Sequence, residues 1–106
     1  MKMTGCFFNV EGMDEWDLAV DDAIVTNSRM SLDWEEDGYK YNAVLKSEDG
    51  AQYHGTFGSP GPMPKNTIEA RRFKSTNGDE LLWMKWYSDD SNNEGTCIVH
   101  LSAEWA

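Results

Sequence analysis

Hydrophobic and polar positions alternate along most of this chain, and the alternation breaks at short clusters of Gly, Asn, Asp and Pro. A period of two marks strands that bury one face. It predicts strands over approximately 23–34, 39–46, 51–57, 67–74, 81–88 and 96–105, with a further strand over 3–10. Residues 13–20 fit either an eighth short strand or a helical turn with Met13, Trp16 and Val20 on one side. The separators are 35–38, 48–50, the Pro-rich 58–64, 76–78 and 89–95. Each contains Gly, Asn or Asp, which accept the positive φ that tight hairpins require. No link offers the dozen or so residues of a parallel crossover, so the strands form an antiparallel up-and-down meander. The expected fold is all-β, with at most one short helix near the N-terminus. Six to eight strands would close into a small barrel or barrel-like sandwich, which hides the strand edges. The chain is read as a single domain, 1–106.

Pairing arguments give a register. A four-residue loop at 35–38 sets Trp34 opposite Tyr39, Leu32 opposite Tyr41 and Met30 opposite Ala43. A three-residue loop at 48–50 sets Leu45 opposite Tyr53, Ala43 opposite Gly55 and Tyr41 opposite Phe57. Both keep one apolar face, which a one-residue slip would invert. A three-residue loop at 76–78 pairs Ile68 with Trp86, Ala70 with Met84 and Arg72 with Leu82. The other face then pairs Glu69 with Lys85, Phe73 with Leu81 and Arg71 with Trp83, the last as a cation–π pair. In the final strand Cys97, Val99, Leu101, Ala103 and Trp105 share one phase. Thr96, Ile98, His100, Ser102 and Glu104 share the other.

Composition changes this picture in two ways. With 106 residues, 40% hydrophobic and five Trp among them, the chain can fill one core without staples. Charge is uneven: the formal net charge is −10. Residues 11–37 hold ten acids against Arg29 alone, whereas residues 38–88 carry seven bases against five acids. Direct nucleic-acid binding is disfavoured, because phosphate contacts need a positive surface. The apolar stretch at the N-terminus is too short for a signal-peptide core, and no membrane-spanning run occurs. The expectation is a cytoplasmic protein with Cys6 and Cys97 as free thiols.

Candidate chemistry is sparse. His54 and His100 sit in the polar phases of their strands and read as surface residues. Neither cysteine has a Cys or His two to four positions away, so no metal site is expected. The stretch 90–95 partly imitates a calcium loop, but the twelfth position, which needs a bidentate Glu, is Leu101. No phosphate-binding glycine motif occurs. No catalytic residue and no cofactor are expected.

The segment 81–88 is apolar on both faces. In the favoured register Leu82, Met84 and Trp86 point inward. Leu81, Trp83, Lys85 and Tyr87 point outward beside Arg71 and Phe73. Either residues 11–22 cover this aromatic–basic patch, or it binds a partner, since Trp, Tyr and Arg dominate interface hot spots, or it holds an anionic small molecule. Two functions follow. One is a non-catalytic interaction domain of inhibitor or immunity type. It would use the patch Arg71, Phe73, Trp83, Lys85 and Tyr87 and the acidic surface Glu35, Glu36 and Asp37. Its partner would be a basic protein steered by that acidity, or a second copy in a homodimer. The other is a small-ligand-binding barrel of lipocalin-like architecture, lined by Trp34, Tyr41, Tyr53, Phe57 and Trp86. The Gly-x-Trp of that family is absent, as Gly12 and Trp16 stand four apart.

Overall fold

In a computed structural model, whose described residues are 2–9, 17–36, 38–58, 66–74, 78–88 and 93–103, the alternation resolves into eight antiparallel strands. They are β1 (Lys2–Asn9), β2 (Asp17–Val25), β3 (Arg29–Glu36), β4 (Tyr39–Lys46), β5 (Gln52–Gly58), β6 (Asn66–Lys74), β7 (Glu80–Ser88) and β8 (Asn93–Ser102). Each pairs with its sequence neighbours, and β1 pairs with β8, so the meander closes into a barrel. Closure leaves no strand edge open to template aggregation. Among the described residues no helix is long and apolar enough to cross a membrane.

One side of each strand fills the interior. Met30, Leu32, Ala43, Leu45, Tyr53, Leu82, Met84, Val99 and Leu101 are fully excluded from solvent. Each large side chain so buried contributes about 1.5–3 kcal/mol.

The structure revises several details. The stretch 23–34 is not one strand. A turn at 26–28 divides it, because the Thr26 N–H donates to the Arg29 carbonyl at 2.8 Å and Thr26 Oγ1 accepts from the Arg29 N–H at 3.0 Å. The buried phase switches from odd (Ala23) to even (Met30, Leu32, Trp34) across that turn. Of the stretch 13–20, residues 17–20 belong to β2 rather than to a helix, and 13–16 lie outside the described residues.

The first two predicted registers are each offset by two residues. Trp34 faces Tyr41, Leu32 faces Ala43 and Met30 faces Leu45. The cause is a two-residue connection at 37–38, with Gly38 at φ 82°, which matches the twist of the flanking strands. Leu45 faces Gly55 and Ala43 faces Phe57. Here the loop is widened by Ser47 and Asp49, whose oxygens collect the N–H groups of Gly50, Ala51 and Gln52 at 2.9 Å each. An offset of two leaves every face unchanged, except that Tyr39, beside the tight turn, is exposed rather than interior.

The β6–β7 hairpin has the predicted register throughout, from Ile68 opposite Trp86 to Phe73 opposite Leu81. β8 begins at Asn93 rather than after Gly95, so half of the calcium-like stretch is strand. It ends at Ser102. Ala103 is exposed, and Trp105 lies outside the described residues.

Candidate functional site

Strand direction alternates around the barrel, so its two ends have different linings. At one end Arg72 and Glu80 both point inward. The guanidinium donates from Nε to Glu80 Oε2 at 2.8 Å and from Nη2 to Oε1 at 2.6 Å. Nη1 donates to Asn27 Oδ1 at 3.0 Å, and lies 3.4 Å from Tyr53 Oη. The Tyr53 hydroxyl donates to the Thr26 carbonyl at 2.5 Å. The hydrogen bond to the Glu80 carboxylate holds Arg72 protonated well above the ordinary arginine range. This network ties β6 and β7 to β5 and to the 26–28 turn. Neither Arg72 nor Glu80 stood out in the sequence, although both occupy the apolar phase of their strands.

The other end is aromatic. Phe7 meets Trp34 edge-on at 5.2 Å between ring centroids, Trp34 stacks on Tyr41 at 5.7 Å, and Phe57 meets both Trp34 and Trp86 within 6.4 Å. Such distances are those of rings packed on one another. Trp86 lies over Gly95, where a Cβ would fall 2.5 Å from the indole. Four of the five residues expected to line a ligand interior (Trp34, Tyr41, Phe57 and Trp86) are therefore together. The fifth, Tyr53, belongs to the opposite end. Their rings fill the space between themselves.

The outer face of β6–β7–β8 carries the predicted patch. Arg71 is opposite Trp83 and Phe73 opposite Leu81 across β6–β7. Trp83 is opposite Ile98 across β7–β8. Phe73, Leu81 and Trp83 are 50%, 41% and 42% exposed, and account for three of the five exposed large hydrophobics among the described residues. Ile98 extends the patch. It is the apolar member of the outward phase of its strand, and the 89–95 loop hid its partner.

The cations around this patch differ. Lys85 Nζ stands 4.0 Å from Glu94 and 5.5 Å from the centroid of the Tyr87 ring. His100 Nε2 lies 2.9 Å from Asp79 Oδ2. His54, on β5, is 3.7 Å from Glu69. Arg71 is exposed and forms no ion pair among the described residues. The expected Arg71–Trp83 cation–π contact is not formed. The lysine–tyrosine pair makes that contact instead.

The expected cover is absent from the described part of the acidic segment. Residues 17–22 are wall in β2, separated from β7 by β8 and β1. Residues 11–16 lie outside the described residues.

The acidic surface lies across the barrel. β3 is four places from β7 in an eight-strand ring, so the two strands occupy opposite sides. The outer face of β2–β3 presents Asp21, Asp22, Asp33 and Glu35 against Arg29. Glu35 is exposed, Glu36 is half-buried, and Asp37 lies outside the described residues. Asp22 and Asp33 are direct cross-strand partners, and Asp33 accepts from Asn42 Nδ2 at 2.5 Å.

Neither Cys6 nor Cys97 is in a disulfide. Cys97 points inward, and burial pushes its pKa up to about 12. Cys6 lies on the opposite phase, paired with His100 rather than with Cys97. Among the described residues no group of three or more His, Cys, Asp or Glu is placed to hold a metal ion. Comparison of the chain with protein-family models, with curated proteins and with solved structures finds no match.

Proposed function

We propose that this is a non-catalytic interaction domain, working in the cytoplasm, that holds a protein partner on the outer face of β6–β7–β8. The observation that carries the reading is the grouping of Phe73, Leu81 and Trp83 beside Arg71, which forms no ion pair among the described residues. Scattered exposed hydrophobics need no explanation, but a contiguous apolar patch centred on a tryptophan, with an arginine beside it, is the composition of a binding hot spot. Closure of the barrel supports the same reading, since it leaves no edge for strand addition and directs recognition to side chains. Lys85 and Tyr87 form the polar rim. The acidic β2–β3 face steers approach and orientation. The small-ligand reading has weaker support, because Trp34, Tyr41, Phe57 and Trp86 lean on one another.

A photo-crosslinking residue placed at Trp83, with a control at the outward Val44 of β4, tests this in the cell that makes the protein. A discrete adduct is expected from position 83 and none from position 44. Adding Trp83→Ser or Phe73→Ser to a crosslinker at position 98 should remove the adduct and change stability by no more than about 0.5–1 kcal/mol. Equal adducts from positions 83 and 44, or none from either, would refute the docking role.

A further inference from the structure

We propose that the partner seated on this patch is a second copy of the chain, presenting its own β2–β3 face head to tail. The inference rests on the patch being a docking surface, and adds the identity of the occupant.

The two faces are complementary in kind. The patch is an apolar cluster, Phe73, Leu81 and Trp83, with the cation Arg71 at its edge beside Trp83. The β2–β3 face is the converse. Ile24 is 49% exposed, on a face that also carries Asp21, Asp22 and Asp33. Asp22 and Asp33 oppose each other directly, an arrangement of like charges that costs energy within one molecule and is relieved by an incoming cation. Arg71 of a neighbour supplies that cation, and Ile24 fills the space between Phe73, Leu81 and Trp83.

Geometry fixes the symmetry. The complementary faces lie on opposite sides of the ring, so one molecule cannot satisfy its own. Each copy then offers one face forward and one back, a heterologous contact that propagates. The net charge of −10 opposes assembly at long range. At about 0.01 M salt the screening length is about 30 Å, comparable with the barrel itself, and whole molecules repel. At about 0.15 M it falls to about 8 Å, which screens the net charge while the desolvated contact persists. Association should therefore strengthen as salt rises over this range, the reverse of a purely ionic contact.

Sedimentation velocity of the intact protein, from about 10 to 500 μM at each salt, reads this directly. The expected result is a sedimentation coefficient that climbs with concentration at the higher salt without levelling at dimer. Arg71→Glu alone and Asp21→Lys alone should each weaken association at least about tenfold. An equimolar mixture of the two should recover it, since each altered face then meets a complementary one. A monomer at every concentration overturns the second-copy proposal and leaves the docking patch standing. A plateau at dimer that the mixture does not rescue overturns the head-to-tail geometry. Association insensitive to both Arg71→Glu and Trp83→Ser overturns the docking patch as well. Near-native melting of each variant shows that the fold is not the cause.

Discussion

Replacing Glu80 by Ala should be among the most destabilising single changes in this barrel. Glu80 is 2% exposed and the Arg72 side chain 12% exposed, with the two joined by contacts of 2.8 and 2.6 Å. Without the carboxylate, the guanidinium keeps only Asn27 Oδ1 at 3.0 Å and the Tyr53 hydroxyl at 3.4 Å. Breaking a buried pair by removing one partner costs about 3–5 kcal/mol, because a charge stays buried without compensation. The residual exposure of Arg72 lets water reach it in part, which places the expected loss near the lower limit, about 3 kcal/mol. For a domain of this length that lowers the melting temperature by about 12–24 °C, at about 4–8 °C per kcal/mol. Replacing both residues, Arg72→Met with Glu80→Leu, should recover most of the loss, since apolar substitutes for a buried pair are neutral to stabilising by about 1–4 kcal/mol. Urea unfolding of the three variants measures both figures. A cost below about 1 kcal/mol for Glu80→Ala, as for an exposed pair, would refute the reasoning. So would a double variant no more stable than the single.

Two further outcomes follow from the same structure. In the native protein at pH 8, an aromatic disulfide reagent should label Cys6 and leave Cys97 unmodified until denaturant is added, because Cys97 is 4% exposed with its pKa raised to about 12; two rapidly titrating thiols would contradict the inward placement of Cys97. Asp49 accepts the backbone N–H groups of Gln52 and Ala51, which lower its pKa below the ordinary aspartate value; the 47–51 loop thus gains stability above the unfolded-state pKa of about 3.9 and loses it as pH falls through the lower folded-state value. Hydrogen exchange at the Ala51 and Gln52 amides should accelerate over that descent in the native chain but show no such step in Asp49→Asn.

The β6–β7 hairpin was legible residue by residue because its two faces carry different chemistry. Glu69 with Lys85 on one face and Ala70 with Met84 on the other agree on a single register. The first two hairpins were legible only in phase. Apolar side chains specify which face is inward, and an offset of two preserves that face, so the pattern is silent between Tyr39 and Tyr41 as the partner of Trp34. The turn at 26–28 lacked a glycine signal and is held by a threonine hydroxyl. The switch of apolar phase between Ala23 and Met30 was its trace. Arg71, Phe73, Trp83, Lys85 and Tyr87 could be grouped from sequence because β7 is apolar on both faces. Ile98 could not, because the 89–95 loop leaves the β7–β8 register open.

The two adjacent arginines show how the wall of the barrel separates stability from recognition. Arg71 and Arg72 are neighbours on β6, yet the strand's period of two sends them to opposite sides. Arg72 is enclosed by Glu80, Asn27 and Tyr53 and has every reason to stay where it is. Arg71 faces outward beside exposed Trp83 and Phe73 and forms no ion pair among the described residues. Its guanidinium lies at the edge of an exposed apolar grouping. A charge that merely kept the surface soluble would not need apolar neighbours, and an apolar cluster that merely filled space would not sit outside a closed barrel. Both features have a use when a carboxylate-bearing, partly apolar surface arrives from another molecule, and the far side of the same barrel is such a surface.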